Sequence, residues 1–183
     1  MHITPTPLEG LLLVELKVFH DERGFFMERF NEEKFGSLGL PMRFVQDNHS
    51  RSTPRILRGL HYQYDPPQGK LVGALGGSIW DVAVDMRPAS PTFGQYFGAE
   101  LSGENGKLLW IPPGFAHGFC VLGNANADVL YKVTAPWNPK TEGGLRFDDP
   151  DVNIRWPIVD PLVIERDRKL ATFAQYRASP PRW

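Results

Sequence analysis

An all-β fold, a sandwich or barrel of many short strands, is what this 183-residue sequence predicts, and three observations carry the expectation. Seventeen prolines and eighteen glycines are scattered along the chain, which favours short elements punctuated by turns over long helices. Runs rich in β-branched and aromatic residues recur between those turns. Within one of them, Ile79, Asp81, Ala83 and Asp85 alternate with Trp80, Val82 and Val84, the pattern of a strand with one apolar face.

In chain order the strand-like runs are 11–18, 25–30, 43–47, 56–63, 70–75, 78–85, 93–101, 107–111 and 128–134. Helical pattern is confined to 31–36, where Asn31 can cap the first turn, and to 166–173. Neither helix is long enough to organise a fold, so the strands are expected to close around one core. No linker, low-complexity tract or tandem repeat interrupts the chain, which predicts a single domain over 1–183. The tail from Ala178 to Trp183 is expected to be extended, and to fray unless Trp183 docks on a partner.

Composition narrows the function. A hydrophobic share of 42% is enough to bury a sizeable core at this length. With 22% charged residues and a formal net charge of -1, no global positive field would hold nucleic acid or an anionic membrane. Any phosphate must therefore be gripped locally. The single cysteine, Cys120, lies in an apolar run and reads as a buried, unreactive thiol. The N-terminal residues show no charged segment leading into an apolar one, and no apolar run approaches a bilayer span, so a cytoplasmic protein is expected.

Two of the five histidines stand out, because each lies in a strand-like apolar segment beside glycine and a turn. A buried imidazole needs a hydrogen-bond partner, and taken alone such a residue reads as a core histidine bonded to backbone. The neighbours change this. His61 lies in Leu57-Arg58-Gly59-Leu60-His61-Tyr62-Gln63, followed after a proline-rich turn by Lys70. His117 lies in Pro113-Gly114-Phe115-Ala116-His117-Gly118-Phe119. Pro112-x-Gly114-x-x-His117 resembles the second half of the cupin signature, and Gly59-Leu60-His61 falls where the first half supplies metal ligands. Metal-binding cupins place a second histidine two residues on and a carboxylate soon after; here stand Gln63 and then Pro66, Pro67 and Gln68. Two imidazoles without a carboxylate fall short of the usual transition-metal set, so no metal is expected.

Along nearly its whole length the chain resembles the dTDP-4-dehydrorhamnose 3,5-epimerases. The residues that carry the likeness are Asp21-Glu22-Arg23-Gly24-Phe25-Phe26, Gln46-Asp47-Asn48-His49-Ser50, Leu57 to Gln63, Lys70-Leu71-Val72, Asp81 to Arg87, Pro113 to Phe119, Tyr131-Lys132-Val133-Thr134, and Asp148-Asp149-Pro150 ahead of Trp156-Pro157. The resemblance implies a cupin jelly-roll barrel, a double-stranded β-helix with short peripheral helices. It also implies a homodimer, and a cofactor-free epimerisation at C3 and C5 of a dTDP-linked 4-keto-6-deoxyhexose.

Epimerisation beside a ketone needs a base at carbon, stabilisation of the enolate oxygen and an acid on the opposite face. The resemblance assigns the base to His61, the acid to Tyr131 and the enolate-facing cation to Lys70. Asp167 would fix the His61 tautomer and stabilise its imidazolium. Taken alone, Tyr131 reads as a barrel aromatic, Lys70 as a turn cation and Asp167 as a helix N-terminal acid. Nucleotide and sugar contacts are assigned by the same resemblance to Arg23, Glu28, Gln46, Asn48, Arg58, His117, Glu142 and Arg166. In a dimer Arg23 and Glu28 would reach the neighbouring site. Asp81 and Asp85 read as structural hydrogen-bonders.

Strand parity raises one conflict. Arg58 and His61 are an odd number apart and should face opposite sides of a regular strand, unless Gly59 marks a bulge. Three departures from the family pattern are visible. Trp137 stands near where relatives carry a tyrosine, Arg166 stands where lysine is usual, and 73–77 lacks basic residues. A single-centre epimerase on a related nucleotide sugar, a non-catalytic sugar-nucleotide-binding cupin and a metal-dependent oxygenase are the competing readings. The last two are disfavoured by the presence of His61 and Tyr131 and by the missing ligand positions.

Overall fold

All of residues 1–183 are described in a computed structural model, with thirteen strands and three short helices numbered in chain order. One antiparallel sheet runs in the order β1 (His2–Pro5), β2 (Leu12–Glu15), β10 (Lys107–Ile111), β7 (Lys70–Gly76), β12 (Ala127–Val133) and β5 (Gln46–Ser52). The second runs β13 (Glu142–Gly144), β6 (Leu57–Gln63), β11 (Phe115–Leu122), β8 (Ser78–Asp85) and β9 (Tyr96–Ser102). β3 (Val18–Asp21) and β4 (Gly24–Met27) form a separate hairpin. The two large sheets face each other as the halves of a jelly roll, without continuous strand pairing from one to the other.

Alternation explains where the core sits. Val72, Leu109 and Val129 of one sheet meet Ile79, Ala83, Phe115, Phe119 and Val121 of the other in the inner cluster. The outward residues of β6 and β8, among them Leu60, Tyr62, Val82 and Val84, need a cover of their own. They obtain it from Leu145, Val152 and, near the C-terminus, Phe173 and Tyr176. The outer face of the other sheet, with Val14, Leu71, Leu108 and Trp110, is covered by α1 (Glu32–Ser37) through Phe35. Asn31 caps α1 by accepting a hydrogen bond from the Lys34 amide at 3.0 Å, as its position predicts.

Several boundaries differ from the sequence expectation. The run 11–18 is broken between β2 and β3, 25–30 stops at Met27, 43–47 begins three residues later and extends to Ser52, and 93–101 begins at Tyr96. β1, β11 and β13 were not in the expected set. The expected helix 166–173 is two, α2 (Glu165–Arg168) and α3 (Phe173–Ala178), because Thr172 starts a new helix with a complete capping box to Gln175. Trp183 docks on its own chain: its indole N–H donates to the Tyr176 hydroxyl at 2.9 Å and its ring packs on Tyr62. Burial pushes the Cys120 thiol up to about 12, in keeping with an unreactive residue. No helix is long and apolar enough to cross a membrane.

Candidate active site

The site begins with a local irregularity in β6. Opposite β11, His61 pairs with His117 and Arg58 with Phe119, so three residue steps on β6 match two on β11. This is a bulge, and it turns the Arg58 and His61 side chains into the same cavity. Gly59 supplies it with φ +101°, and a Cβ there would lie 2.6 Å from the His117 carbonyl oxygen. The parity conflict is resolved by one residue that must be glycine.

The cavity, about 460 Å³, opens between the two sheets. β6 and β11 bring Arg58, His61 and His117; facing them, β7 brings Lys70 and β12 brings Tyr131. β5 contributes Gln46 and Asn48, which alternate inward and are joined by a 2.8 Å hydrogen bond from Gln46 Nε2 to Asn48 Oδ1. Glu142 from β13 and Arg166 and Asp167 from α2 complete the rim, where Arg166 and Glu142 form an ion pair.

His61 Nε2 lies 2.8 Å from Asp167 Oδ1, and the other carboxylate oxygen accepts the Gly59 amide at 2.9 Å. Burial raises the Asp167 pKa, but the hydrogen bonds from His61 and Gly59 outweigh it and hold the carboxyl below its ordinary value. An ionised Asp167 makes His61 Nε2 the protonated nitrogen, so in the neutral ring Nδ1 carries the free lone pair. His117 is paired in the same way, its Nε2 2.7 Å from Asp81 Oδ1, at a fully buried carboxylate. Asp81 is therefore the partner of a cavity histidine. Asp85 matches the structural reading, since its carboxylate accepts from Arg87, Ser90 and Thr92 at the end of β8.

Lys70 is 8% exposed, and its ammonium donates to the His61 carbonyl at 3.1 Å. Burial lowers its pKa to about 8, against the opposing pull of Glu142 and Asp81. Tyr131 is pushed upward, first by burial and then by Glu142, so it remains a protonated phenol at neutral pH. The cavity thus holds a lone-pair base, a phenolic donor and a cation.

Two expected site residues do not join them. Arg23, on the hairpin turn, is 84% exposed and paired with Asp21; Glu28 pairs with Lys34. Neither lines the cavity of its own chain: Arg23 sits in the exposed turn of the β3–β4 hairpin, and Glu28 lies just beyond the end of β4. Gln63, at the position of a cupin ligand, donates to the Pro66 and Pro136 carbonyls and accepts from the Asn138 amide. Nowhere do three His, Cys, Asp or Glu side chains converge as a metal would require.

Sequence reasoning missed Ser50, Ile56, Leu162 and Ile164, which also line the cavity. Ser50 was findable: it continues the inward alternation of Gln46 and Asn48, and its hydroxyl is buried without a hydrogen-bond partner. Leu162 and Ile164 carried no signal, since they reach the rim on an irregular segment bonded to Arg55 and Leu57.

A family model described as dTDP-4-dehydrorhamnose 3,5-epimerase matches residues 5–175. The dTDP-4-dehydrorhamnose 3,5-epimerase of Pseudomonas aeruginosa is 49% identical over 182 residues, covering 98% of this chain and 100% of that one. The enzyme of the same name from Shigella flexneri is 50% identical over 169 residues, 91% of this chain and 93% of its own. Among solved structures, the dTDP-6-deoxy-D-glucose-3,5-epimerase of Legionella pneumophila Philadelphia 1, in complex with dTDP-4-keto-L-rhamnose, superposes with a TM-score of 0.93 at 45% identity, covering 100% of this chain and 98% of that one. Likeness on this scale spans both sheets and every element that builds the cavity, and the chain belongs to the dTDP-4-dehydrorhamnose 3,5-epimerase family.

Proposed function

We propose that this chain epimerises C3 and C5 of dTDP-4-dehydro-6-deoxy-D-glucose to give dTDP-4-dehydro-L-rhamnose, without a metal or cofactor. One observation carries the reading: His61, backed by Asp167, and Tyr131, still a phenol, enter one cavity from opposite sheets. The 4-keto group acidifies the protons on C3 and C5. His61 Nδ1 removes one of them, and Asp167 stabilises the imidazolium that forms. The electron pair moves onto O4, where the Lys70 ammonium gains interaction as negative charge develops. Tyr131 then delivers a proton to the same carbon from the other face; once solvent has taken the proton from His61 and restored the one on Tyr131, the sequence repeats at the second carbon.

Gln46 and Asn48 offer amides to the nucleobase and Trp137, 55% exposed at the mouth, a stacking face. Arg58 and Arg166 suit the diphosphate, and His117 and Glu142 the sugar. The whole of 1–183 acts as one catalytic unit in the cytoplasm, and as a homodimer. The dimer accounts for Arg23 and Glu28, which an exposed hairpin would carry to a neighbour's cavity.

Incubation with the substrate in deuterated water, with NMR reading label at C3 and C5, tests the reaction. His61→Ala should abolish both exchange and inversion, each by about 10²–10⁴-fold. Tyr131→Phe should retain exchange while inversion falls by a similar factor, because the enolate can be reprotonated from the side it left. Label at one carbon only would identify a single-centre epimerase. Wild-type-like inversion in His61→Ala would remove the mechanism.

A further inference from the structure

On β5 the inward side chains are Gln46, Asn48, Ser50 and Ser52, but only the first three line the cavity. Ser52 is 2% exposed and lies under the guanidinium of Arg58. Arg58 Nε donates to Ser52 Oγ at 2.9 Å, and Arg58 Nη2 donates to the Arg51 carbonyl at 3.2 Å. These two N–H groups form one edge of the planar guanidinium, and both are directed at protein atoms. The opposite edge, Nη1 with the second hydrogen of Nη2, is left for the cavity. A guanidinium so held offers a fixed fork that matches two oxygens of a phosphate.

We infer that Ser52 is the positioning residue of Arg58: it fixes the guanidinium so that its free edge receives the diphosphate of the nucleotide sugar. The inference rests on the substrate reading above. Its physical basis is preorganisation. An arginine stem has several rotatable bonds, and a binding site that must first order it loses affinity to that ordering. Ser52, buried at the end of a strand paired to β12, makes the ordering part of the fold. The carbonyl of Arg51 helps, but only the serine side chain can be altered without disturbing the backbone.

The test is a double-mutant cycle on the full chain, with dTDP and thymidine binding read by calorimetry and steady-state kinetics alongside. Ser52→Ala should weaken dTDP about tenfold and raise KM, with kcat within about twofold, while thymidine, which lacks the diphosphate, binds as before. In an Arg58→Ala background the serine substitution should cost nothing further. Ser52→Cys, nearly the same size with a poor acceptor, should resemble Ser52→Ala and guards against a packing artefact. An unchanged dTDP affinity in Ser52→Ala, an equal loss in the Arg58→Ala background, or parallel loss of thymidine would overturn the assignment alone. Failure of the unsubstituted chain to bind dTDP would overturn the substrate reading and the assignment together.

Discussion

The ammonium of Lys70 is largely withdrawn from water, and burial takes its pKa from 10.5 to about 8. A folded value below the unfolded one means that the unfolded chain binds the proton more tightly. The resulting penalty is fully present below about pH 8 and is relieved as pH rises towards 10.5. Its size is roughly 3 kcal/mol. Lys70→Met is therefore expected to stabilise the fold in urea by up to that amount at neutral pH, while kcat falls by about 10²–10³-fold. A variant that is both less stable and fully active would contradict the account. In the unsubstituted protein, kcat/KM is expected to fall above about pH 8 as the ammonium is lost. Asp167 behaves oppositely. Its pKa is lowered in the folded state, so its contribution is present above its unfolded value and is lost as acidification passes through the folded one. Asp167→Asn keeps an acceptor for the Gly59 amide but removes the charge that sets the His61 tautomer. A fall in kcat of at least about 10²-fold is the expected result, together with a lower melting temperature at pH 7, where the ionised carboxylate contributes to stability.

At the scale of elements, β6 and α2 act as one device. β6 supplies His61 and Arg58 from the two flanks of its bulge, and α2, a single turn with no side-chain cap, supplies Asp167 to hold both His61 and the Gly59 amide. Gly59→Ala would force a Cβ to within 2.8 Å of the Gly118 Cα at a backbone conformation that disfavours any side chain. The expected cost is about 2–4 kcal/mol of stability. Activity is expected to fall more than its stability, because the bulge aims both side chains. Thermal denaturation with kinetics on the folded fraction separates the two effects. The split of 166–173 into α2 and α3 was legible in Thr172 and Gln175, whose spacing is a capping-box signature. The shift of 43–47 to Gln46–Ser52 was not. The segment Gln46 to Ser52 is polar on both faces, and it becomes a strand because one face lines the cavity and the other pairs Asp47 and Arg51 with Lys132 and Asp128 across β12.

For the whole molecule, the hairpin that carries Phe25, Phe26 and Arg23 pairs with neither sheet and leaves these three side chains exposed, as a dimer that shares residues between sites would need. If Arg23 serves the neighbour's cavity, mixing Arg23→Ala with His61→Ala chains should restore about a quarter of the normal sites, through heterodimers with one intact cavity. Absence of recovery after subunit exchange, or a fully active monomer in sedimentation, would reject the shared site. Much of this architecture follows from the sequence by itself. The short alternating runs, the frequent turns and the near-zero charge determine an all-β chain that must grip phosphate locally, and the motifs around His61, His117 and Tyr131 determine the family. Local pattern suffices there because alternation and turn residues act over a few positions. Local pattern could not bring Asp167 to His61 across more than a hundred residues, a pairing that the resemblance alone implied, and only the tertiary structure decided that Asp81 holds His117 and that Trp183 closes on Tyr62 and Tyr176 of its own chain. Those contacts depend on which strands pair and in what register, a property of the whole sheet that no short stretch of sequence encodes.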